Sequence, residues 1–188
     1  MRTNVRAGSN VRWIKHAKAI NQKIDKVMKR YILMLSKTFP LDHPKHGQPT
    51  GFERNVLDTL SGKRCYKRKI HTMRGKYELW EKRFREINSN KAYISLCVWS
   101  GIPYKSKVIE IARLTRKDGI GLQKAKFSRF SDGFIYPDLV HIDGKDIEGN
   151  QVAANDGLSY NDWENWFLSS KYDLSEPLAI IHFTKFRY

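Results

Sequence analysis

Residues 65–87 read CYKRKIHTMRGKYELWEKRFREI, and the densest chemistry sits near the start, where Lys69, His71, Thr72 and Arg74 fall within six residues. The alternation through 69–74 predicts a short strand, with Ile70, Thr72 and Arg74 on one face and Lys69, His71 and Met73 on the other. A guanidinium on the same face as a hydroxyl can receive a phosphate, or an acyl oxygen as it gains charge. Lys69 and Thr72 are three residues apart, so they converge only if the strand bulges or turns between them. The plainer alternative makes Lys69 and Arg74 surface cations and Thr72 an ordinary strand residue.

Two helices flank this stretch. Tyr77, Trp80, Phe84 and Ile87 recur at helical spacing, while Glu78 with Lys82 and Glu81 with Arg85 pair four residues apart on the wet side. Upstream, Phe52, Val56, Leu57 and Leu60 form one face of a shorter helix stopped by Gly62.

Lys69-x-x-Thr72-x-Arg74 on a strand, preceded by a helix that runs into Gly62-Lys63, resembles the signature of ASCH domains, members of the PUA-like superfamily of small β-barrels. The resemblance runs from about residue 30 to the C-terminus. It takes in the opening strand, the loop from Phe39-Pro40 to Thr50-Gly51-Phe52, the 52–60 helix, and the stretch Asn155-Asp156-Gly157-Leu158-Ser159. It implies a pseudo-barrel with a cleft beside flanking helices, in a superfamily that contacts RNA or modified bases. Some small members hydrolyse the acetyl amide of N4-acetylcytidine with the motif's lysine and threonine and a later glutamate. Lys69 and Thr72 match the first two, and the third position holds Asp156, one methylene shorter.

The implied chemistry is coherent. A threonine hydroxyl is a poor nucleophile until a base takes its proton, and a lysine can do so only when burial or a nearby cation lowers its pKa. Lys67, Arg68 and Arg74 are close enough in sequence to supply such a cation. Two functions therefore stand as expectations. One is an RNA-, nucleoside- or modified-base-binding module with a basic cleft; the other is an amidohydrolase using Lys69, Thr72 and Asp156. A third, a protein-interaction module, would use residues 11–27 to dock an acidic partner.

Charge favours an anionic partner: 35 Lys+Arg against 19 Asp+Glu give a formal +16. It is unevenly placed. Residues 1–30 hold nine Lys/Arg and one acid, residues 61–85 ten against two, and residues 131–176 ten acids and two lysines. The cations expected to face nucleic acid are Arg74, Lys63, Lys67, Arg68, Arg116, Lys117, Lys124 and Arg129. Within 115–134 the aromatics Phe127 and Phe130 lie among cations, as single-stranded nucleic acid prefers, or they anchor a loop to the core.

The 188 residues suit one α+β domain over 28–188, a PUA-like mixed β-barrel flanked by short helices. Residues 1–27 form a basic N-terminal extension with a helical stripe of Trp13, Ala17, Ile20, Ile24 and Val27. No apolar run approaches a membrane span or a secretory signal, so the expected compartment is the cytoplasm. Cys65 and Cys97 are too few for a disulfide framework and lack metal-site spacing. His43 and His46 read as part of a solvated 37–51 loop, with no supporting ligand nearby, and neither metal nor cofactor is expected.

The remaining elements follow from pattern. Strands are expected over 31–36, 92–99, 107–114, 139–142 and 178–186, with Glu110 as an ion-paired structural acid. Ser159 is placed to cap a helix whose Trp163, Trp166 and Phe167 face inward.

Overall fold

The structure, a computed structural model, describes residues 28–63, 67–129, 135–168 and 174–188, with side chains omitted at 128, 129 and 135–137. The N-terminal extension and its helical stripe lie outside the described residues, as do Cys65 and Phe130.

Among the described residues the order is β1 (Lys29–Met34), α1 (Phe52–Leu60), β2 (His71–Arg74), α2 (Tyr77–Asn88), β3 (Ala92–Trp99), β4 (Val108–Leu114), β5 (Gly121–Arg129), β6 (Ile135–Ile142), β7 (Lys145–Glu148), α3 (Gly149–Asn155), α4 (Tyr160–Leu168) and β8 (Leu178–His182). The strands form two sheets, β1-β3-β4 and β2-β8-β5-β6-β7. β1 runs parallel to β3, and every other pairing is antiparallel. The fold is mixed α+β as expected, but neither sheet closes on itself. The expected barrel is instead two open sheets sharing one apolar cluster that includes Leu33, Ile94 and Leu96 from the first and Ile180, Ile181 and Phe127 from the second.

Each sheet owes its place to its pattern. β3 is apolar on its inner face, where Ile94, Leu96 and Val98 are wholly buried, and it sits in the middle of its sheet. Its other face carries Ser95 and Cys97, covered by Arg30, which donates to the Ser95 hydroxyl at 3.0 Å. Glu110 accepts from Ser95 and pairs with Arg30 at 3.6 Å and Arg113 at 3.2 Å, so it is the structural acid the sequence indicated. α2 buries Trp80, Phe84 and Ile87 against β3, β5 and β8, bridging the two sheets.

Two expectations are corrected. Residues 115–129 are not a basic loop, 130–134 lying outside the described residues: after a single turn over Arg116–Asp118 the chain becomes β5, an inner strand of the larger sheet. Its lysines alternate with buried residues, Lys124 and Lys126 outward, Gln123, Ala125 and Phe127 inward. Phe127 is an anchor, packed 5.4 Å from the Trp163 ring and 6.0 Å from Phe167. His43 is not solvated either. It stacks on Phe39 at 4.4 Å, and its Nε2 lies 3.0 Å from the Asp162 carbonyl. Lys45 pairs with the Asp162 carboxylate at 2.8 Å, so the 37–51 loop is clamped to the start of α4. Asp162 itself accepts the Ser159 hydroxyl and donates its amide to that oxygen, which is the expected cap. No helix among the described residues is long and apolar enough to cross a membrane.

Candidate functional site

The ladder between β2 and β8 begins at His71, and this late start resolves the problem of facing. Lys69 and Ile70 precede it and are held by other partners: Lys69 N donates to Thr59 Oγ1 at 3.2 Å, and Ile70 N to the Asn155 carbonyl at 2.9 Å. The Ile70 carbonyl in turn accepts from Phe183 N at 2.8 Å. Lys69 thus lies just ahead of the β2–β8 ladder, and its ammonium reaches Asp156, which lines the same cleft as Thr72 and Arg74.

Asp156 arrives from a helix the sequence did not disclose. It is the C-cap of α3, and Gly157 follows at φ +81°, a left-handed conformation that glycine adopts without strain. A Cβ on Gly157 would stand 3.2 Å from Lys69 Cβ and 3.3 Å from the Arg68 carbonyl, so the turn also needs glycine for closeness.

Lys69 Nζ donates to the Asp156 carboxylate and, at 2.7 Å, to the Asp156 carbonyl. It also lies 3.7 Å from the centroid of the Phe52 ring. Lys69 is fully buried and Asp156 only 4% exposed, so this is an ion pair removed from water. Burial lowers the Lys69 pKa, against the pull of Asp156, and the nearby Arg74 charge adds to the lowering. Burial raises the Asp156 carboxyl, against Lys69 and Arg74. The two shifts bring the pKa values of the partners closer together.

Thr72 Oγ1 accepts from Arg74 Nη1 at 2.9 Å, leaving the hydroxyl proton free for another acceptor. Arg74 also donates to the carbonyls of Met73 and Met34, tying β2 to the end of β1. Above this cluster opens a cleft of about 430 Å³. Ser36, Thr72, Arg74 and Asp156 supply its polar lining, Phe52, Trp99, Tyr104, Trp166 and Phe167 its aromatic lining, and aliphatic and proline residues the rest. Lys69 sits behind Asp156 rather than in the lining.

Thus Lys69, Thr72, Arg74 and Asp156 come together, whereas the other expected cations do not line the cleft. Lys63 borders a neighbouring groove of about 660 Å³ on the far side of Phe52, with Lys37 and Arg54, and pairs loosely with Asp58 at 4.0 Å. Lys67 and Arg68 are exposed just before Lys69. Arg116 and Lys117 are exposed on the turn before β5, Arg116 donating to the Asn88 carbonyl. Lys124 lies over the Tyr77 ring. Arg129 ends β5, and its side chain lies outside the described ones.

Sequence reasoning missed the ring-lined walls. Their one signal was the turn Ser100-Gly101-Ile102-Pro103-Tyr104, which carries bulky residues where turns are usually polar. It also missed a buried polar layer on the opposite face of β2. His71 Nε2 lies 2.7 Å from Tyr188 Oη, which accepts from Asn155 Nδ2 at 3.0 Å, and the His71 and His182 rings are 5.5 Å apart. His71 Nδ1 and both His182 nitrogens are buried without a hydrogen-bond partner. Burial holds His71 well below the usual histidine pKa and pushes His182 down to about 3, so both are neutral.

Among the described residues no group of three or more His, Cys, Asp or Glu side chains could hold a metal ion. No protein-family model matches the chain, and neither a curated protein nor a solved structure resembles it detectably.

Proposed function

We propose that the cleft receives the base of a nucleoside, free or as part of RNA, in the manner of a PUA-like domain of the ASCH type. The observation that carries this reading is a set of hydrogen-bonding groups, Thr72, Arg74 and Asp156, in a cleft whose largely apolar lining includes five aromatic residues. A planar heterocycle satisfies both, because its faces stack and its edges hydrogen-bond. The volume suits one unpaired base better than a duplex. Exposed cations around the molecule would serve a longer RNA as phosphate contacts, which position without reading sequence.

A second reading, deacylation of an N4-acylated cytidine-type nucleoside, is favoured by the Lys69–Asp156 pair. A buried ion pair is a poor stabiliser and perturbed pKa values gather at functional sites. In this reaction Asp156 takes a proton from Lys69, and neutral Lys69 accepts the Thr72 proton as the hydroxyl oxygen attacks the acyl carbon. Arg74 donates to the oxygen that becomes negative. The exocyclic nitrogen leaves with the proton from Lys69, and water then cleaves the acyl-threonine ester, releasing the acid.

The test is chromatography with mass detection of N4-acetylcytidine incubated with the parent, Lys69→Met and Thr72→Val, beside calorimetric titration of the same nucleoside. Release of cytidine by the parent and neither variant establishes hydrolysis. Binding without release supports the module reading alone, and an absence of both refutes nucleoside recognition by this cleft.

A further inference from the structure

The cleft mouth carries a residue whose type its backbone position does not explain. Four non-glycine residues among those described have positive φ: Lys76, Asn90, Tyr104 and Asp143. Asn90 follows the end of α2 and Asp143 occupies the tight turn between β6 and β7 with Gly144, whereas Lys76, at the N-cap of α2, and Tyr104 carry long or bulky side chains in that conformation. Asn and Asp tolerate the left-handed region better than any other side chains but glycine. Tyr104, at φ 64°, follows Pro103 in a turn closed by Lys105 N donating to the Ile102 carbonyl at 3.2 Å; the turn accounts for the left-handed backbone, but that position favours glycine or asparagine, and a bulky ring there is strained.

Nor does burial offset the strain, since Tyr104 is 89% exposed, the most exposed of the large hydrophobic residues described. The connection is nonetheless well built. Ser100 N donates to the Lys107 carbonyl at 2.8 Å, Gly101 N to Ser106 Oγ at 2.9 Å, and Ser106 N to the Ile102 carbonyl at 3.0 Å. The Tyr104 ring lies 5.4 Å from Trp99, tilted by 51°, and both residues line the cleft. Strain that a fold retains without gain in packing marks a functional position.

We propose that Tyr104, steadied by Trp99, is the residue that stacks on the base of the bound nucleoside and sets affinity for it. This rests on the reading of the cleft as a base-binding site and adds a residue outside the Lys69, Thr72, Arg74 and Asp156 cluster. The turn presents the ring in advance, so stacking occurs without the ordering of a free loop.

The experiment titrates N4-acetylcytidine calorimetrically into the parent, Tyr104→Phe, Tyr104→Leu and Tyr104→Gly, with thermal melts of each. Tyr104→Phe keeps the ring and should bind within about twofold of the parent, since the stacking face is retained. Tyr104→Leu and Tyr104→Gly should weaken binding by about 5- to 150-fold, the range spanned by loss of one base–aromatic stack. Tyr104→Gly should meanwhile melt at the same temperature as the parent or higher, because glycine relieves the left-handed strain. Loss of affinity with unchanged or raised stability is the signature of a ligand contact. Equal affinity in all four proteins overturns the inference while leaving base binding intact, and so does Leu behaving like Phe, which would indicate apolar contact without stacking. A parent that does not bind the nucleoside overturns the base-binding reading and this inference with it.

Discussion

Replacing Lys69 by Met removes the cation from a buried pair while nearly preserving the side chain's length. Asp156 is then left 4% exposed, with Phe52 beside it and only Arg74 as a nearby positive charge. Breaking a buried pair from one side costs about 3–5 kcal/mol, because the remaining charge stays desolvated. For a chain of this length each kcal/mol is worth roughly 2–4 °C, so the melting temperature at neutral pH should fall by about 6–20 °C. The loss should depend on pH in a defined direction. Burial already raises the Asp156 carboxyl, and removing Lys69 takes away the largest opposing influence, so the folded variant holds a proton that the unfolded chain gives up near pH 4. A folded pKa above the unfolded value stabilises at low pH and is lost as pH rises through the folded pKa. The variant's deficit relative to the parent should therefore be small near pH 4.5 and grow by up to about 1.4 kcal/mol per pH unit until Asp156 ionises. Urea unfolding of both proteins at half-unit intervals from pH 4.5 to 8 measures it. Adding Asp156→Leu to Lys69→Met should recover most of the stability, since two apolar side chains can replace a buried pair at little cost. A deficit constant across this range, or a double variant as unstable as the sum of the singles, would refute the account of a desolvated, mutually dependent pair.

Other consequences follow from the same geometry. The parent should lose stability as pH falls below about 6.5, by up to about 1.4 kcal/mol per unit for each histidine held neutral. His71 lies well below its usual range and His182 at about 3, so unfolding takes up protons across that window; a melt series with His182→Leu should show a shallower slope, and an unchanged slope would exclude His182. Gly157→Ala should destabilise by about 1–2 kcal/mol, because a side chain there is left-handed and crowds Lys69 at 3.2 Å. If the parent hydrolyses N4-acetylcytidine, turnover by this variant should drop even at temperatures where circular dichroism shows it folded. If RNA is bound, replacing Lys67 and Arg68 together by Ala should flatten the plot of log affinity against log salt by about 1.4, the effect of two lost phosphate contacts on a single strand. The same double variant should bind the nucleoside within about twofold of the parent, because neither cation lines the cleft.

What the sequence determined was the elements and the residues with chemical potential. Period-2 and helical patterns located β1, β3, β4, β8, α1, α2 and α4, because side chains alternate or recur according to local backbone geometry alone. Glu110 was readable as a paired acid, since a carboxylate in an apolar strand needs a partner. Charge obscured β5: its lysines suggested a loop, but long cationic side chains reach water from an inner strand as readily as from a turn. The same local logic could not assemble the site. On a regular strand Lys69 and Thr72 point apart, and the partners that hold residues 69 and 70 just ahead of β2, Thr59, Asn155 and Phe183, lie from 10 to more than 100 residues away in the chain. Asp156 meets Lys69 across 87 positions, through a helix too short to announce itself and a glycine turn whose closeness only packing requires. The aromatic lining comes from α1, from the end of β3 with the turn that follows it, and from α4, which are far apart in the chain. Burial, which turns an ordinary lysine and aspartate into a mutually dependent pair, is a property of the assembled core, and no window of sequence contains it.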